Sequence, residues 1–220
     1  MKKTVLGLLA VCCLLTGCKS AAPDASTASQ TEAAAASAVV APLTETMDLS
    51  RLDNCTVAVS LKEGDAYVDD TGAMQMKVTV YTYDRYDPVD IAALKEGDIL
   101  VIGGQEVPVA SAVRDAYGAV LINGGYDAGG YELRTDEDGT FHETGPNDAY
   151  AYHSLGEATV RVSPDFVYTD GSDPEKGEVI YYPGDFLVEG TGIDYGFTPY
   201  DTSIVIENGQ VIAMNRVYRP

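Results

Sequence analysis

The chain has 220 residues, of which 45% are hydrophobic and 22% charged, as expected for a globular protein of one ordinary domain with extensions. Its 14 Lys and Arg face 34 Asp and Glu, which gives a formal net charge of −20. This acidity argues against binding of nucleic acid and against docking of a basic patch on anionic lipid, because both require clustered Lys and Arg.

The chain begins with a short basic and apolar segment, in which Lys2 and Lys3 precede an apolar run over residues 5–15. A run of this length is too short to cross a bilayer as a helix and predicts a signal peptide over residues 1–17. The tetrapeptide LTGC that ends at Cys18 resembles the lipobox of bacterial lipoproteins. The resemblance implies cleavage before Cys18, a diacylglycerol on its sulfur, and an extracytoplasmic protein whose one membrane contact is this lipid anchor.

A tether is predicted between the anchor and the globular domain. Ten of the 21 residues from position 21 to 41 are Ala, mixed with Ser, Thr, Gln and Pro, and they show no alternation. Because this composition cannot build a core, we expect a flexible tether over residues 18–46 that starts at the lipidated Cys18. Loss of Lys2 and Lys3 leaves 12 basic against 34 acidic residues, so the processed chain carries −22 and should stand off from anionic headgroups.

From residue 47 to 220 the pattern is that of successive strands. Cys55, Val57 and Val59 alternate with polar or small residues, and the last two strands flank Asn208-Gly209, a pair that favours a tight hairpin turn. Turn signals recur every ~8–12 residues, which is typical of a sandwich or barrel. We therefore predict an all-β antiparallel domain over residues 47–220, a sandwich or barrel built from hairpins, with at most one short helix, at residues 88–94. The predicted strands are 55–61, 74–80, 99–102, 107–113, 119–122, 131–133, 157–162, 178–182, 193–197, 202–207 and 210–218.

A five-residue sequence, LKEGD, occurs twice, at residues 61–65 and 94–98. The residues that follow the two copies differ, so a duplicated structural unit is not supported. We interpret both copies as the same turn, with Gly in a left-handed position and Leu as a core residue before it.

Acidic turns and two histidines are the candidate metal ligands. Asp136 and Asp138 resemble the opening of a calcium loop, in which oxygen ligands alternate, although the later acidic ligands of such a loop are missing. His142 and Glu143 follow, and His153 lies 11 residues after His142, so hairpin arms could assemble two His and one carboxylate. The alternative is a solvated hairpin tip beside hydrogen-bonded histidines. We expect no resident cofactor, with calcium as the one candidate.

Tyrosines form the candidate binding surface. All 15 of them follow residue 66, and Tyr81, Tyr83 and Tyr86 cluster near the end of one predicted strand. Exposed tyrosines on a rigid sheet are suited to binding glycans or proteins. They are also the aromatic residues favoured on any half-exposed sheet, so both interpretations stay open.

Catalytic motifs are missing from the sequence: it holds no nucleophile elbow, no zinc-protease motif and no phosphate-binding loop. The lipobox, the tether and the acidic β domain together resemble the small surface lipoproteins of Gram-positive bacteria. This resemblance favours a non-enzymatic lipoprotein that binds an unidentified ligand or protein partner at the cell surface. Two alternatives are an envelope hydrolase acting on glycan or peptide, which would need a convergent acid–base pair in a cleft, and a structural spacer of the envelope.

Overall fold

Residues 37–43, 47–145 and 149–219 are described by a computed structural model of the chain. The predicted signal peptide, Cys18 and most of the predicted tether lie outside these residues. Within the described part, no helix combines the length and apolar character needed to span a membrane.

The described residues form an all-β structure with one short α-helix, as the sequence predicts. The helix, α1 (Pro88–Ala93), starts where Asp87 accepts a hydrogen bond from the Val89 amide and where Pro88 occupies the first turn. Short 3-10 helices lie at Leu49–Arg51, Tyr126–Ala128 and Pro183–Leu187. In chain order the strands are β1 (Val39–Val40), β2 (Cys55–Ser60), β3 (Ala66–Val68), β4 (Met74–Thr82), β5 (Arg85–Tyr86), β6 (Ile99–Ile102), β7 (Gln105–Pro108), β8 (Ala112–Arg114), β9 (Val120–Ile122), β10 (Tyr131–Thr135), β11 (Phe141–Thr144), β12 (His153–Gly171), β13 (Val179–Tyr181), β14 (Thr202–Glu207) and β15 (Gln210–Val217).

Five of these strands close into a ring, which we call the barrel. β4 pairs with β2, β2 with β14, and β14 with β15, all antiparallel. β12 closes the ring, because its first half pairs antiparallel with β4 and its second half pairs parallel with β15. Counted along the chain, the barrel strands follow the order 1-2-3-5-4-1, which is that of an OB-type Greek-key barrel. A barrel of this type hosts many functions, so the order alone assigns none.

β12 can serve two neighbours because it bends midway. Its register with β15 shifts between Val162 and Val167, around the segment that contains Pro164. Proline cannot donate to a strand ladder and is tolerated at such a bulge, where the strand turns from one partner to the next.

The barrel interior is a continuous apolar core. Phe186, from the 3-10 helix at Pro183–Leu187, and Phe197 contact Tyr168 edge to face, with ring centroids 5.7 and 5.5 Å apart. Arg216 is buried beside them and bonds to Asp201 and to the Gly196 carbonyl. Other fully buried members are Val59, Met76, Val78, Val80, Phe166, Ile204, Ile206, Val211 and Met214.

Residues 83–152 leave the barrel between β4 and β12 and form what we call the insert. It contains the five-stranded sheet β5-β11-β10-β9-β8 and the hairpin β6-β7. Ile91 of α1 joins a second apolar core there, with Tyr86, Leu100, Ile122, Leu133 and Phe141 among its buried members. Because His153 pairs with Thr82, the chain leaves the barrel and re-enters it at adjacent positions.

The predicted tether differs from the structure in its last part. Val39 and Val40 form β1, which runs parallel to β6, and Val40 is buried in the core of the insert. The Ala38 amide donates to Asp98, and the Leu43 amide donates to the Arg85 carbonyl. Ordered structure therefore starts before residue 47, since two valines after the Ala-rich run supply a short apolar strand.

Candidate functional site

Tyr81 lies on the outer side of the barrel at the end of β4, and Tyr83 follows it as the first residue of the insert. Met76, Val78 and Val80 alternate with them and are buried, so strand periodicity turns both tyrosines outward. Both are half-buried. The Tyr81 hydroxyl lies 3.1 Å from the Ser60 hydroxyl on β2, a hydrogen bond that fixes its ring over the neighbouring strand.

Beside Tyr81 the barrel surface is concave and forms what we call the tyrosine groove, with a volume of about 400 Å³. Three positions in register cross its floor: Ser203 pairs with Ala58, and Ala58 pairs with Tyr81. The two small side chains leave room between larger walls. The walls include Tyr83, Tyr152, Tyr200 and Arg219.

A row of aromatic rings runs from the groove into the insert. Tyr200 contacts Tyr152 edge to face, with ring centroids 5.6 Å apart, and Tyr152 contacts Tyr83 in the same way at 5.6 Å. Tyr83 lies 4.4 Å from Tyr150, which lies 4.3 Å from His142. Burial raises the pKa values of Tyr83 and Tyr152, so both hydroxyls stay protonated at neutral pH.

The pairing of β4 with β12 explains how this row is assembled. Since Thr82 lies opposite His153, the residues just outside the barrel, Tyr83 and Tyr152, become neighbours although 69 positions separate them in the sequence. Tyr200 arrives from the loop before β14. Ring contacts of this kind stabilise by about 0.5–1.5 kcal/mol each beyond the area that they bury.

The charged groups that line the groove already have partners. Asp201 accepts hydrogen bonds from Thr198, from the Thr202 hydroxyl and from Arg216. Arg219 donates from Nε to the Tyr200 carbonyl, which holds the Tyr200 segment against the end of β15. The groove therefore presents aromatic faces and hydroxyls around a carboxylate that Arg216 compensates and a guanidinium that is bonded to a neutral carbonyl.

At the far end of the row, two of the predicted metal ligands come together. His142 is buried, and its Nδ1 lies 3.1 Å from Asp136 Oδ1, although the approach is off the hydrogen-bonding direction. Burial lowers the pKa of His142 against the opposing effect of Asp136. The Tyr150 hydroxyl donates to the same Asp136 oxygen at 2.9 Å, and burial together with this bond raises the pKa of Tyr150 to about 12.

The other two predicted ligands point elsewhere. Asp138 pairs with Arg85 and accepts hydrogen bonds from the amide and hydroxyl of Thr140. Glu143 follows His142 on a strand, so its side chain leaves the opposite face. Across the described residues, no three His, Cys, Asp or Glu side chains are grouped so as to hold a metal ion. The calcium site stays a prediction that this geometry does not support.

Glu143 instead belongs to an acidic joint between the insert and the barrel. Continuing the pairing of His142 with Arg85 places Glu143 opposite Asp84. Burial, and secondarily the Asp84 charge, raises the pKa of Glu143 to about 7. Asp84 is itself buried, with Oδ2 accepting from the Gly103 amide at 2.6 Å and Oδ1 lying 3.8 Å from His153 Nε2.

Tyr86 is not part of the exposed surface on which the sequence places it. It is fully buried in the core of the insert, and its hydroxyl donates to the Val101 carbonyl at 2.9 Å. The reason is that the chain leaves β4 after Thr82 and begins a new strand, β5, whose pairing with Phe141 turns Tyr86 inward.

Two walls of the groove, Tyr152 and Tyr200, are not among the binding residues proposed from the sequence. The Tyr150–Tyr152 pair is visible there as a cluster, but nothing local connects it to Tyr83. Tyr200 carries no sequence signal, because its position depends on the closure of the barrel.

Comparison of the chain with protein-family models, with curated proteins and with solved structures found no match.

Proposed function

We propose that this protein is an extracytoplasmic lipoprotein, anchored to the cell membrane through Cys18, whose barrel binds a ligand in the tyrosine groove without transforming it. The observation that carries the binding role is the groove itself, in which Tyr83, Tyr152 and Tyr200 stand around a floor crossed by Ser203, Ala58 and Tyr81. Rigid aromatic walls with few unpaired charges favour recognition over chemistry.

The anchor is supported by the LTGC tetrapeptide after a basic and apolar leader. Acylated Cys18 would hold the domain at the outer surface, where an unattached ligand or a neighbouring polymer can reach the groove. Feeding cells a fatty-acid analogue tests this part. Label on the wild-type protein and none on the Cys18→Ala variant is the expected result, and an unlabelled wild-type protein would overturn the lipoprotein assignment.

Binding is tested with the full-length chain in detergent against three panels: neutral oligosaccharides, short peptides and acidic polysaccharides. We expect one panel to raise the melting temperature, since a ligand that binds only the native state stabilises it. Tyr200→Ala should abolish the shift, whereas Tyr117→Ala, a change at a tyrosine that is 93% exposed on another hairpin, should keep it. If no panel shifts the melting temperature, or Tyr200→Ala has no effect, the binding role is wrong and the spacer alternative is favoured.

A second candidate, an envelope hydrolase, is favoured by the Asp84–Glu143 pair. A carboxyl group that stays protonated near neutral pH beside a carboxylate has the properties of a general acid. Neither residue lines the tyrosine groove, and Asp84 is engaged by the Gly103 amide. Turnover of envelope glycan or peptide by the wild-type protein that Glu143→Gln eliminates would establish the hydrolase and overturn the non-enzymatic role.

A further inference from the structure

We infer that the ligand class of the tyrosine groove is a neutral oligosaccharide, an inference that rests on the proposed binding role and gives it a substrate class. It is carried by three properties: the aromatic faces of the groove, its surplus of hydroxyls and the acidity of the chain that surrounds it.

The first property is the arrangement of apolar faces beside hydrogen-bonding edges. A pyranose ring presents C–H groups on its faces and hydroxyls around its rim, so it needs flat apolar surfaces next to small polar groups. Tyr200 is 46% exposed at the mouth, and Tyr152 and Tyr83 follow it edge to face at centroid distances of 5.6 Å, so each ring offers a separate apolar surface. Each tyrosine supplies an apolar ring and one hydroxyl with little loss of conformational freedom on binding.

The second property is the kind of polar group available. Thr56, Thr82 and Ser203 line the groove together with the tyrosines. A hydroxyl both donates and accepts, which suits a ligand whose own groups are hydroxyls. The Ser60–Tyr81 pair can be oriented either way, so it adapts to a donor or an acceptor on the ligand.

The third property is charge. Asp201 is compensated by Arg216 and three further donors, whereas Arg219 keeps its positive charge and donates only to the neutral Tyr200 carbonyl. An anionic ligand would approach a chain of formal charge −20, and this repulsion lowers its rate and strength of binding. A neutral ligand avoids this repulsion.

A peptide is the main competitor, because aromatic grooves also accept proline-rich segments. The floor of this groove excludes the addition of a peptide as a further strand, so a proline-rich segment on the aromatic walls is the competitor that the titration tests. β2 is paired on both sides, with β14 and β4, and β14 is paired on both sides, with β15 and β2. Neither strand has a free edge to which a peptide could add.

The location also differs from the common site of OB-type barrels, which is the face of the second and third strands together with the turns 1–2 and 4–5. Here the groove is lined by residues at the start of β14, the ends of β4 and β15, and the middle of β2. The two common turns, around residues 61–73 and 208–209, contribute none of its lining residues.

The experiment is a titration of the full-length chain in detergent with hexasaccharides of glucose, xylose and N-acetylglucosamine, a hexasaccharide containing uronic acids, and a proline-rich peptide. Calorimetry gives the affinity, because the chain has 15 Tyr and their emission would not report on the groove alone. At least one neutral hexasaccharide should bind, and Tyr200→Ala and Tyr152→Ala should each weaken it at least tenfold. Tyr200→Phe, which keeps the ring, should retain most of the affinity, and Tyr117→Ala should not change it.

The other outcomes separate this inference from the binding role. Binding of the proline-rich peptide alone, lost in Tyr200→Ala, overturns the saccharide inference and leaves the groove as a binding site. Equal binding of the uronic-acid hexasaccharide overturns the requirement for neutrality. If the saccharide still binds to both alanine variants, and their melting temperatures equal that of the wild type, the ligand binds elsewhere and both proposals are wrong. Both are also wrong if no probe binds.

Discussion

Asp84 shows how a single buried charge can hold two parts of a fold together. It lies between the last barrel strand before the insert and the first strand of the insert, and it is only 3% exposed. Burying a carboxylate is costly unless hydrogen bonds compensate it, and the amide of Gly103, from the β6–β7 turn, supplies one at 2.6 Å. Glu143 faces the same carboxylate, so this joint contains one acid that is compensated and one that binds a proton near neutral pH.

Glu143 should make stability fall as pH rises. Its pKa is about 7 in the folded chain against 4.5 as its ordinary value, so between these pH values the folded state binds more protons than the unfolded state. Glu143→Gln should therefore stabilise the protein at pH 8, by on the order of 1 kcal/mol because the site is partly exposed, and should change little at pH 4.5. Urea unfolding at both pH values measures this, with Glu137→Gln at an exposed acid as the control. An equal effect at both pH values would contradict the assignment.

His142 should act in the opposite direction. Burial lowers its pKa, so the unfolded state gains a proton first as pH falls, and the stability that neutral His142 supports is lost below its ordinary value of 6.5. His142→Phe retains a ring against Tyr150 but cannot take up a proton. The variant should therefore lose less unfolding free energy than the wild type when the pH falls from 7.5 to 5.5. A pH profile parallel to that of the wild-type protein would show that His142 titrates normally.

Turns and hairpins were predictable at the scale of elements, whereas pairings distant in sequence were not. Asn208 and Gly209 adopt φ values of 51° and 70°, as the sequence of the last hairpin predicts. Both LKEGD copies form the same turn, with Gly64 and Gly97 at φ values of 85° and 90°. The predicted strand at 193–197 is wrong, since no strand is present there within the described residues. Its apolar residues instead include Phe197, which packs on the barrel core.

A bulge and two parallel pairings explain further differences. Val205 and Ile206 of β14 pair with Ala213 and Val211 of β15, so Ile212 is an extra residue in β15 and Met214 rather than Ala213 is buried. The two parallel pairings, β12 with β15 and β1 with β6, leave no mark in local alternation. The same holds for the candidate site. Tyr81 and Tyr83 were predictable from the pattern of one strand, whereas the positions of Tyr152 and Tyr200 depend on the closure of the barrel.

The turn between β9 and β10 offers a test at this scale. A Cβ on Gly130 would lie 2.1 Å from the Ile122 carbonyl oxygen and 2.8 Å from that of Asn123, both backbone atoms that cannot move aside. Gly130→Ala should therefore cost about 3 kcal/mol of unfolding free energy. Gly184→Ala is the matched control, because no atom lies within 4 Å of its added Cβ, and it should be neutral or stabilise by up to about 1 kcal/mol. Equal effects in urea unfolding would mean that the turn is packed differently.

The whole molecule combines a closed barrel with an insert whose core is separate from that of the barrel. The chain crosses between them at neighbouring positions, and the aromatic row from Tyr200 to His142 runs along this crossing. Because Glu143 leaves the opposite face of its strand from His142, the aromatic row and the joint that Asp84 and Glu143 form lie on opposite faces of this strand.

The net charge of the molecule gives the final prediction. A chain of formal charge −20 repels itself, and this repulsion is strongest at low ionic strength, where the Debye length is about 30 Å at 0.01 M salt. Raising sodium chloride from 0.01 to 0.3 M should increase the melting temperature of the full-length chain by a few degrees through diffuse screening.

Calcium chloride at the same ionic strength should add little, because Asp138 is already engaged by Arg85 and Thr140, and Asp136 by Tyr150. A specific site would instead add RT ln(1 + [L]/Kd), about 2.7 kcal/mol at a hundredfold excess over Kd. A large rise that only calcium produces, that a chelator reverses and that Asp138→Asn removes would establish a calcium site at this turn and overturn the expectation.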